Sequence, residues 1–321
     1  MSSVKSIDVV LATYNGERFL KDQIDSIILN FERLVNYKCR LLISDDGSTD
    51  NTLKLIDLLY SNDERIFIVN KERTGGVKSN FLTLLDYVEG DYLFFSDQDD
   101  FWLPNKISLF MEVFEENNKY DKPLLVHSDL TVTDVYLSPK HVSMFSYQNL
   151  NKNASLENCL VTNNVTGCVM ACNKQLVDRL RNSKLDQSIM HDWYASLIAH
   201  IYGKVIFIDK SLILYRQHGG NQVGAKKISI RSAFNHGIKG SYSNVLKSIQ
   251  MTKNQSKLLY DDLTASGFIG KEIDVIEKYN KSFDANFIFR FFCFFKSGFK
   301  KYGLKRNLIF FFVYVFCGKS I

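Results

Sequence analysis

Two rhythms of apolar residues alternate through the N-terminal third of the chain. Short β-rich runs are Ile7 to Thr13, Cys39 to Ser44, Arg65 to Val69 and Tyr92 to Phe95. Between them the apolar positions recur at helical spacing. Leu20, Ile24, Ile27 and Phe31 form one such stripe, and Val77, Phe81, Leu84, Leu85 and Val88 form another. Asn51 to Tyr60 fills the remaining interval as a helix. Strands alternating with helices predict right-handed crossovers and a mostly parallel α/β sheet. The carboxyl ends of parallel strands lie side by side, and ligands bind at that edge.

Every one of the informative strand ends is polar. The first runs into Thr13-Tyr14-Asn15-Gly16, and the second into Asp45-Asp46-Gly47-Ser48-Thr49-Asp50. The fourth ends in Asp97-Gln98-Asp99-Asp100. Three carboxylates so close repel one another, and a bound cation is the natural compensation. Oxygen ligands suit a hard divalent ion, Mg²⁺ or Mn²⁺, and such ions bind diphosphates. A plain acidic turn would look similar at one strand end, but two acidic ends and a polar-aromatic loop on one edge favour a site. Gly75-Gly76 leads into the third helix, where Lys78 and Asn80 could reach a phosphate or ribose. A dinucleotide-type Gly-x-Gly-x-x-Gly is missing after the first strand, which sets that function aside.

Val10 to Gly16, Ser44 to Asp50 and Ser96 to Trp102 together resemble the signature segments of family-2 glycosyltransferases. Asp-Gln-Asp-Asp followed by an aromatic and Trp is especially similar to bacterial rhamnosyltransferases of surface polysaccharide assembly. The resemblance spans roughly residues 5 to 225 and implies an inverting sugar transferase with a GT-A fold. It implies that Thr13, Tyr14 and Asn15 line the nucleotide site, and that Asp45 or Asp46 binds the base or ribose. Asp97 and Gln98 would face the nucleotide sugar, and Asp99, with Asp97, the metal.

Past Trp102 a helix is expected to about Asn118, then a strand from Leu124 to Ser128 and a long polar excursion from Thr131 to Asn158. Val165 to Ala171 is the next β-like run, with Thr166-Gly167-Cys168 as a small-residue segment near the sugars. Met190-His191-Asp192-Trp193 opens an apolar-striped helix. The resemblance makes Asp192 the general base toward the acceptor hydroxyl, with His191, where relatives carry Glu, either orienting it or a spectator. Two short strands, Val205 to Ile208 and Leu212 to Tyr215, precede the Gly-rich stretch Arg216 to Gly224. There His218 is a candidate to complete the metal shell, and Arg216 or Gln217 to touch the diphosphate.

The expected organisation is a GT-A domain over 1–225, with a nucleotide-sugar half (1–103) and an acceptor half (104–225), and a helical, basic and aromatic region over 226–321. Composition is that of a globular protein, 45% hydrophobic and 23% charged, with a net charge of +5. The six cysteines form no Cys-x-x-Cys pair, so reduced thiols without zinc are expected. The opening residues do not resemble a signal peptide, and no apolar stretch reaches about 18 residues. Phe287 to Phe295 is nevertheless rich in Phe and is followed by Lys296, Lys300, Lys301, Lys305 and Arg306. The final run, Leu308 to Cys317, would be roughly 15 Å long as a helix. That mixture suits an anionic membrane surface on the cytoplasmic side.

The expected partners are a nucleotide-sugar donor and a lipid-linked saccharide, with no nucleic acid; the oligomeric state is left open. L-Rhamnose from dTDP-rhamnose is the expected donor, and a UDP-galactose or UDP-glucose donor is the alternative. A sugar nucleotidyltransferase is the competing class. It wants a basic, Gly-rich loop after the first strand, where this chain has Glu17 and a single Gly.

Overall fold

A computed structural model describes residues 4–117, 121–219 and 237–318. The chain divides into two compact units. One comprises Met1–Met144, Val165–Asp186 and Met190–Gly224; the other comprises Phe145–Asn164, Gln187–Ile189 and Ala225–Ile321. The segment 145–164, read in the sequence as part of the acceptor half, groups with the C-terminal helices.

The first unit is built on a sheet of β1 (Lys5–Thr13), β2 (Tyr37–Asp45), β3 (Ile66–Asn70), β4 (Tyr92–Ser96), β5 (Phe101–Trp102), β6 (Leu124–Thr133), β7 (Pro139–His141), β8 (Met170–Asn173) and β9 (Lys204–Arg216). The strand order is β3-β2-β1-β4-β8-β6-β9-β5, with β7 paired to β6. β1, β2, β3 and β4 are parallel, as the alternation predicts. β1 lies between β2 and β4 and is covered on both faces, which is why it reads as almost unbroken apolar sequence. The helices α1 (Leu20–Phe31), α2 (Thr52–Tyr60), α3 (Val77–Leu85) and α4 (Lys106–Asn117) are the connections. Further along come α5 (Met144–Gln148), α6 (Leu156–Val161), α7 (Lys174–Arg181) and α8 (His191–Tyr202).

Three features differ from the expected pattern. β8 runs antiparallel to both β4 and β6, entering the middle of the sheet after a 3-10 turn at Gly167–Val169. β9 is one strand where two were expected. Its pairing with β6 jumps from Ser128↔Ile208 to Asp129↔Ser211, so Asp209 and Lys210 are accommodated as a bulge. Two polar residues in a row imitate a turn in sequence. The excursion after β6 is also more ordered than its polarity suggests: Ser155 and Asn158 form a capping box on α6.

The amino edge of the sheet is held by a buried charge. Asp8 is fully buried and takes Arg40 Nε at 2.9 Å and Nη2 at 2.8 Å. It also accepts the backbone N–H groups of Glu89 and Gly90, each at 2.8 Å. An Asp8→Ala chain leaves four donors without their acceptor, so its unfolding free energy falls by about 3 kcal/mol. Urea unfolding reads this directly, and an unshifted midpoint would show that the pair contributes nothing.

The second unit contains α6 together with α9 (Gly237–Ala265), α10 (Lys271–Asp284), α11 (Phe287–Lys296) and α12 (Leu304–Cys317). Its core is aromatic: Tyr279, Phe283, Phe299 and Tyr314 are buried. The Tyr314 hydroxyl donates to Ser282 Oγ at 2.7 Å, and Thr252 meets the Tyr279 hydroxyl at 3.0 Å. Lys226, Lys227 and Arg231 of the predicted basic stretch lie outside the described residues, as do Gly220 to Gly224. Among the described residues no helix is long and apolar enough to cross a membrane.

Candidate active site

The strand ends are stitched into one surface by side chains. Thr13 and Asp45 face each other at the last rung between β1 and β2, and Leu11 and Ser96 at the last rung between β1 and β4. Asn80, buried on α3, donates to the carbonyls of Ser44 at 2.9 Å and Thr13 at 3.3 Å. It therefore braces the edge and is not free to reach a phosphate. Gln98 joins the loops after β1 and β4. Its Oε1 accepts from Thr13 Oγ1 at 2.6 Å and Tyr14 N at 2.9 Å, while its Nε2 donates to Tyr14 O at 3.1 Å. Gly16 is required here, because a Cβ would lie 2.4 Å from Gln98 Oε1. With Gln98 fixed in this way, Tyr14 stands half-exposed beside the crevice.

The loop after β1 is zipped to the loop after β2. Asn15 adopts a φ of 49°; its N–H donates to Ser48 Oγ and its Oδ1 accepts Thr49 N, both at 2.8 Å. Asp45 is buried and accepts the Ser48 N–H at 2.7 Å and hydroxyl at 2.5 Å. Asp46 has a different task. It accepts the N–H of Gly75 at 2.9 Å and of Gly76 at 2.8 Å, together with the N–H and hydroxyl of Thr74. Gly75 and Gly76 have φ of 97° and 120°, which lets these successive N–H groups converge on one anion. Burial raises the Asp46 carboxyl, but the hydrogen bonds from Gly75, Thr74 and Gly76 outweigh it and hold it below the ordinary carboxylate range. This concave N–H cluster is thus filled by Asp46. Lys78, expected near a phosphate, donates its ammonium to the Asp186 carbonyl at 2.7 Å.

The acids after β4 divide by environment. Asp100 is fully buried and accepts Arg216 N at 3.1 Å. Burial, then the charges of Asp99 and Asp97, push it well above the usual range. Arg216 is buried too. It donates to the Asp99 carbonyl at 2.8 Å, the Val135 carbonyl at 2.6 Å and the Asp22 carboxylate at 2.9 Å. That corrects its expected contact with a diphosphate: β9 runs through Arg216, and its guanidinium ties the acidic loop to α1. Asp99 keeps a small exposed area and meets His218 Nε2 at 2.6 Å. The His218 ring rests against Phe19 at 4.9 Å.

Asp97 is the strongest electrostatic signal. Burial, then the charge of Asp99, then that of Asp192 push it up to about 7. Asp97 thus feels the charges of both Asp99 and Asp192, although Asp192 comes from α8, far along the chain. Asp192 lies in the first turn of α8, the helix end that favours negative charge. Lys106 is the nearby amine, and its charge offsets the rise at Asp97 only in part. It is buried, donates to the Cys168 carbonyl at 2.9 Å and lies 3.2 Å from the Trp102 ring centre. Burial lowers its own pKa well below the ordinary value. Nothing in its sequence position marked this role.

A divalent ion fits this arrangement of charge. Among the described residues, Asp97, Asp100 and Cys168 bring possible ligand atoms within 4.8 Å of one another. Burial keeps the Cys168 thiol well above its usual pKa, hence protonated, and Asp100 is committed to Arg216. Asp97 and the hydrogen-bonded Asp99–His218 pair, the ligands expected from the sequence, offer two carboxylates and an imidazole, a donor set that suits Mn²⁺ or Mg²⁺.

His191 is packed rather than reactive. It is buried between Phe81 at 4.3 Å and Phe95 at 5.6 Å, and neither ring nitrogen finds a hydrogen-bond partner. Burial lowers its pKa to about 3, so the ring is neutral. Gly167 makes room for it, because a Cβ there would sit 2.9 Å from His191 Nε2 and 3.8 Å from the Asp192 Cβ. His127 is buried against Phe207 at 5.1 Å.

A parallel sheet with an antiparallel insertion, carrying acids at its carboxyl edge, is the architecture of GT-A glycosyltransferases. The mannosyltransferase PcManGT of Pyrobaculum calidifontis, solved with GDP-Man and Mn²⁺, superposes with a TM-score of 0.53 over 99% of this chain and 87% of its own, at 12% identity. The profile of Glycosyl transferase family 2 matches residues 8–180, and the chain belongs to that family. The dTDP-rhamnosyl transferase RfbG of Shigella flexneri is 28% identical over 82% of this chain and 91% of its own length. A β-1,3-glucosyltransferase of Escherichia coli, WfaP, named for UDP-Glc and α-D-GlcNAc-diphosphoundecaprenol, is 27% identical over 76% and 86%. The chain is thus a glycosyltransferase similar to enzymes of polysaccharide biosynthesis.

Proposed function

We propose that this enzyme is an inverting, divalent-metal-dependent rhamnosyltransferase that moves L-rhamnose from dTDP-rhamnose onto a lipid-linked saccharide at the inner face of the cell membrane. The observation that supports the mechanism is that the charges of Asp99 and Asp192 both act on Asp97. Asp192 takes the proton of the acceptor hydroxyl as that oxygen bonds to the anomeric carbon. The bond from that carbon to the diphosphate oxygen breaks, and the nucleoside diphosphate leaves with the electron pair. Asp97, Asp99 and His218 would hold the metal, whose chemistry is to neutralise the departing diphosphate. Tyr14, half-exposed at the strand edge, offers its ring to the base. Asp45 supports that loop through Ser48. The choice of dTDP-rhamnose rests on the Asp97-Gln98-Asp99-Asp100-Phe101-Trp102 segment and on the similarity to RfbG.

The test measures donor binding and turnover with Mn²⁺ present, for dTDP-rhamnose, UDP-galactose and UDP-glucose. dTDP-rhamnose at about 100 times its Kd stabilises the fold by about 2.7 kcal/mol and so raises the melting temperature. Nucleoside diphosphate release follows the same preference. A response to a UDP-sugar instead would replace the donor and keep the mechanism. No melting shift with any nucleotide would remove the nucleotide site itself.

A further inference from the structure

The helix pair at the C-terminal end of the second unit is inverted relative to a water-facing surface. On α11 the inward positions are Arg290, Cys293 and Phe294, and the outward ones are Ile288, Phe291, Phe292 and Phe295. Arg290 is buried and donates to the carbonyls of Val315 and Ala285 at 2.8 and 2.5 Å. Thus the charge faces in while phenylalanines face out. α12 repeats the arrangement: Phe310, Val313 and Tyr314 are buried, whereas Leu304, Leu308, Phe312 and Phe316 form an exposed stripe at four-residue spacing. The two exposed faces join. Phe287 stacks on Phe316 with ring centres 6.4 Å apart, and Phe295 meets Phe311 at 5.7 Å. Exposed apolar residues scattered singly need no explanation, but a continuous patch of aromatic rings does.

We propose that this outer face of α11 and α12 seats the enzyme on an anionic lipid bilayer. Charge argues for that occupant. After Asp284 the sequence holds no Asp or Glu, while Lys296, Lys300, Lys301, Lys305 and Arg306 lie on or between the two helices. Lys296 Nζ lies 5.4 Å from the Phe292 ring, and Lys300 Nζ 5.7 Å from that of the outward Phe295. Cations at the rim of an aromatic face suit rings in the headgroup layer and ammonium groups on lipid phosphates. A second copy is a poorer fit, because a two-fold contact would set these cations against their equivalents. The 14-residue α12 is about 21 Å long, short of a hydrocarbon core of about 30 Å, so it lies on the surface. The inference extends the membrane-face reading above by naming the surface that achieves it.

The experiment is co-sedimentation of the full chain with vesicles of phosphatidylcholine, with or without about a quarter phosphatidylglycerol. The wild-type chain partitions onto the anionic vesicles. Phe292→Glu combined with Phe312→Glu, both at already exposed positions, lowers the partition coefficient tenfold or more. Lys296→Glu with Lys300→Glu removes the preference for phosphatidylglycerol, and added salt does the same to the wild type. The dTDP-rhamnose melting shift, measured on the same proteins, stays unchanged in both double variants. Its absence from all of them, with vesicle binding intact, would overturn the donor reading alone. Equal sedimentation of wild type and Phe292→Glu/Phe312→Glu would overturn the membrane surface. So would a lipid-free wild-type dimer, indifferent to vesicles, that the same variant converts to monomer.

Discussion

Asp192→Asn lowers kcat by about 10³-fold while leaving the affinity for the nucleotide sugar unchanged. The substitution keeps the shape and removes only the capacity to accept a proton. Asp192 stands in the first turn of α8, and its charge is felt at Asp97. His191 cannot substitute for it, because burial holds the imidazole near a pKa of about 3, between two phenylalanine rings and without hydrogen-bond partners. The fall should therefore appear equally in kcat and kcat/KM, the pattern of an interaction made only in the transition state. Steady-state kinetics alongside a donor titration reads both. Full turnover in Asp192→Asn would move the base elsewhere. Weakened donor binding would make Asp192 a donor contact.

The edge of the sheet was legible because each strand is an apolar run that stops at polar residues, and backbone topology then brings those stops together. The direction in which a side chain turns was not legible. Asp46 and Asp45 are adjacent acids at one strand end, yet Asp46 folds back into the N–H cluster of Thr74, Gly75 and Gly76. The sequence shows the glycine pair as a loop and gives no sign that its positive φ values build an anion cradle. Gln98 looks like a ligand contact between two acids, but its amide matches the free donor and acceptor of the Tyr14 backbone. Arg216 looked like a diphosphate contact because it precedes a Gly-rich stretch. The bulge at Asp209 and Lys210 lets β9 continue, and this carries Arg216 into the interior. The inversion of α11 and α12 is a related case. Composition announced phenylalanine beside lysine, and only the burial of Arg290 distinguishes an outward aromatic face from an inward one.

Removing the divalent ion with a chelator abolishes turnover and Mn²⁺ restores it, whereas Asp99→Ala loses about 10³-fold in kcat that Mn²⁺ does not recover. The reason is the charge left in the crevice. Asp99 and Asp192 both raise Asp97, and Lys106 offsets this only in part, because its amine is buried on Trp102 and lowered well below the usual range. Without metal, burial and these neighbours raise Asp97 to about 7. The sign follows. Between the ordinary carboxylate value near 4 and about 7, the folded chain holds a proton at Asp97 that the unfolded chain has released. Folding stability from this group is then fully present below that window and is lost as pH rises through it. A cation in the crevice opposes the loss, since it favours the ionised carboxylate. Protons and metal therefore compete, and the rise in melting temperature on adding Mn²⁺ should be larger at pH 8 than at pH 5. Thermal melts at the two pH values, with and without metal, give the answer. An equal shift at both would separate the metal from Asp97, and a persistent full shift in Asp99→Ala would separate it from Asp99 and its partner His218.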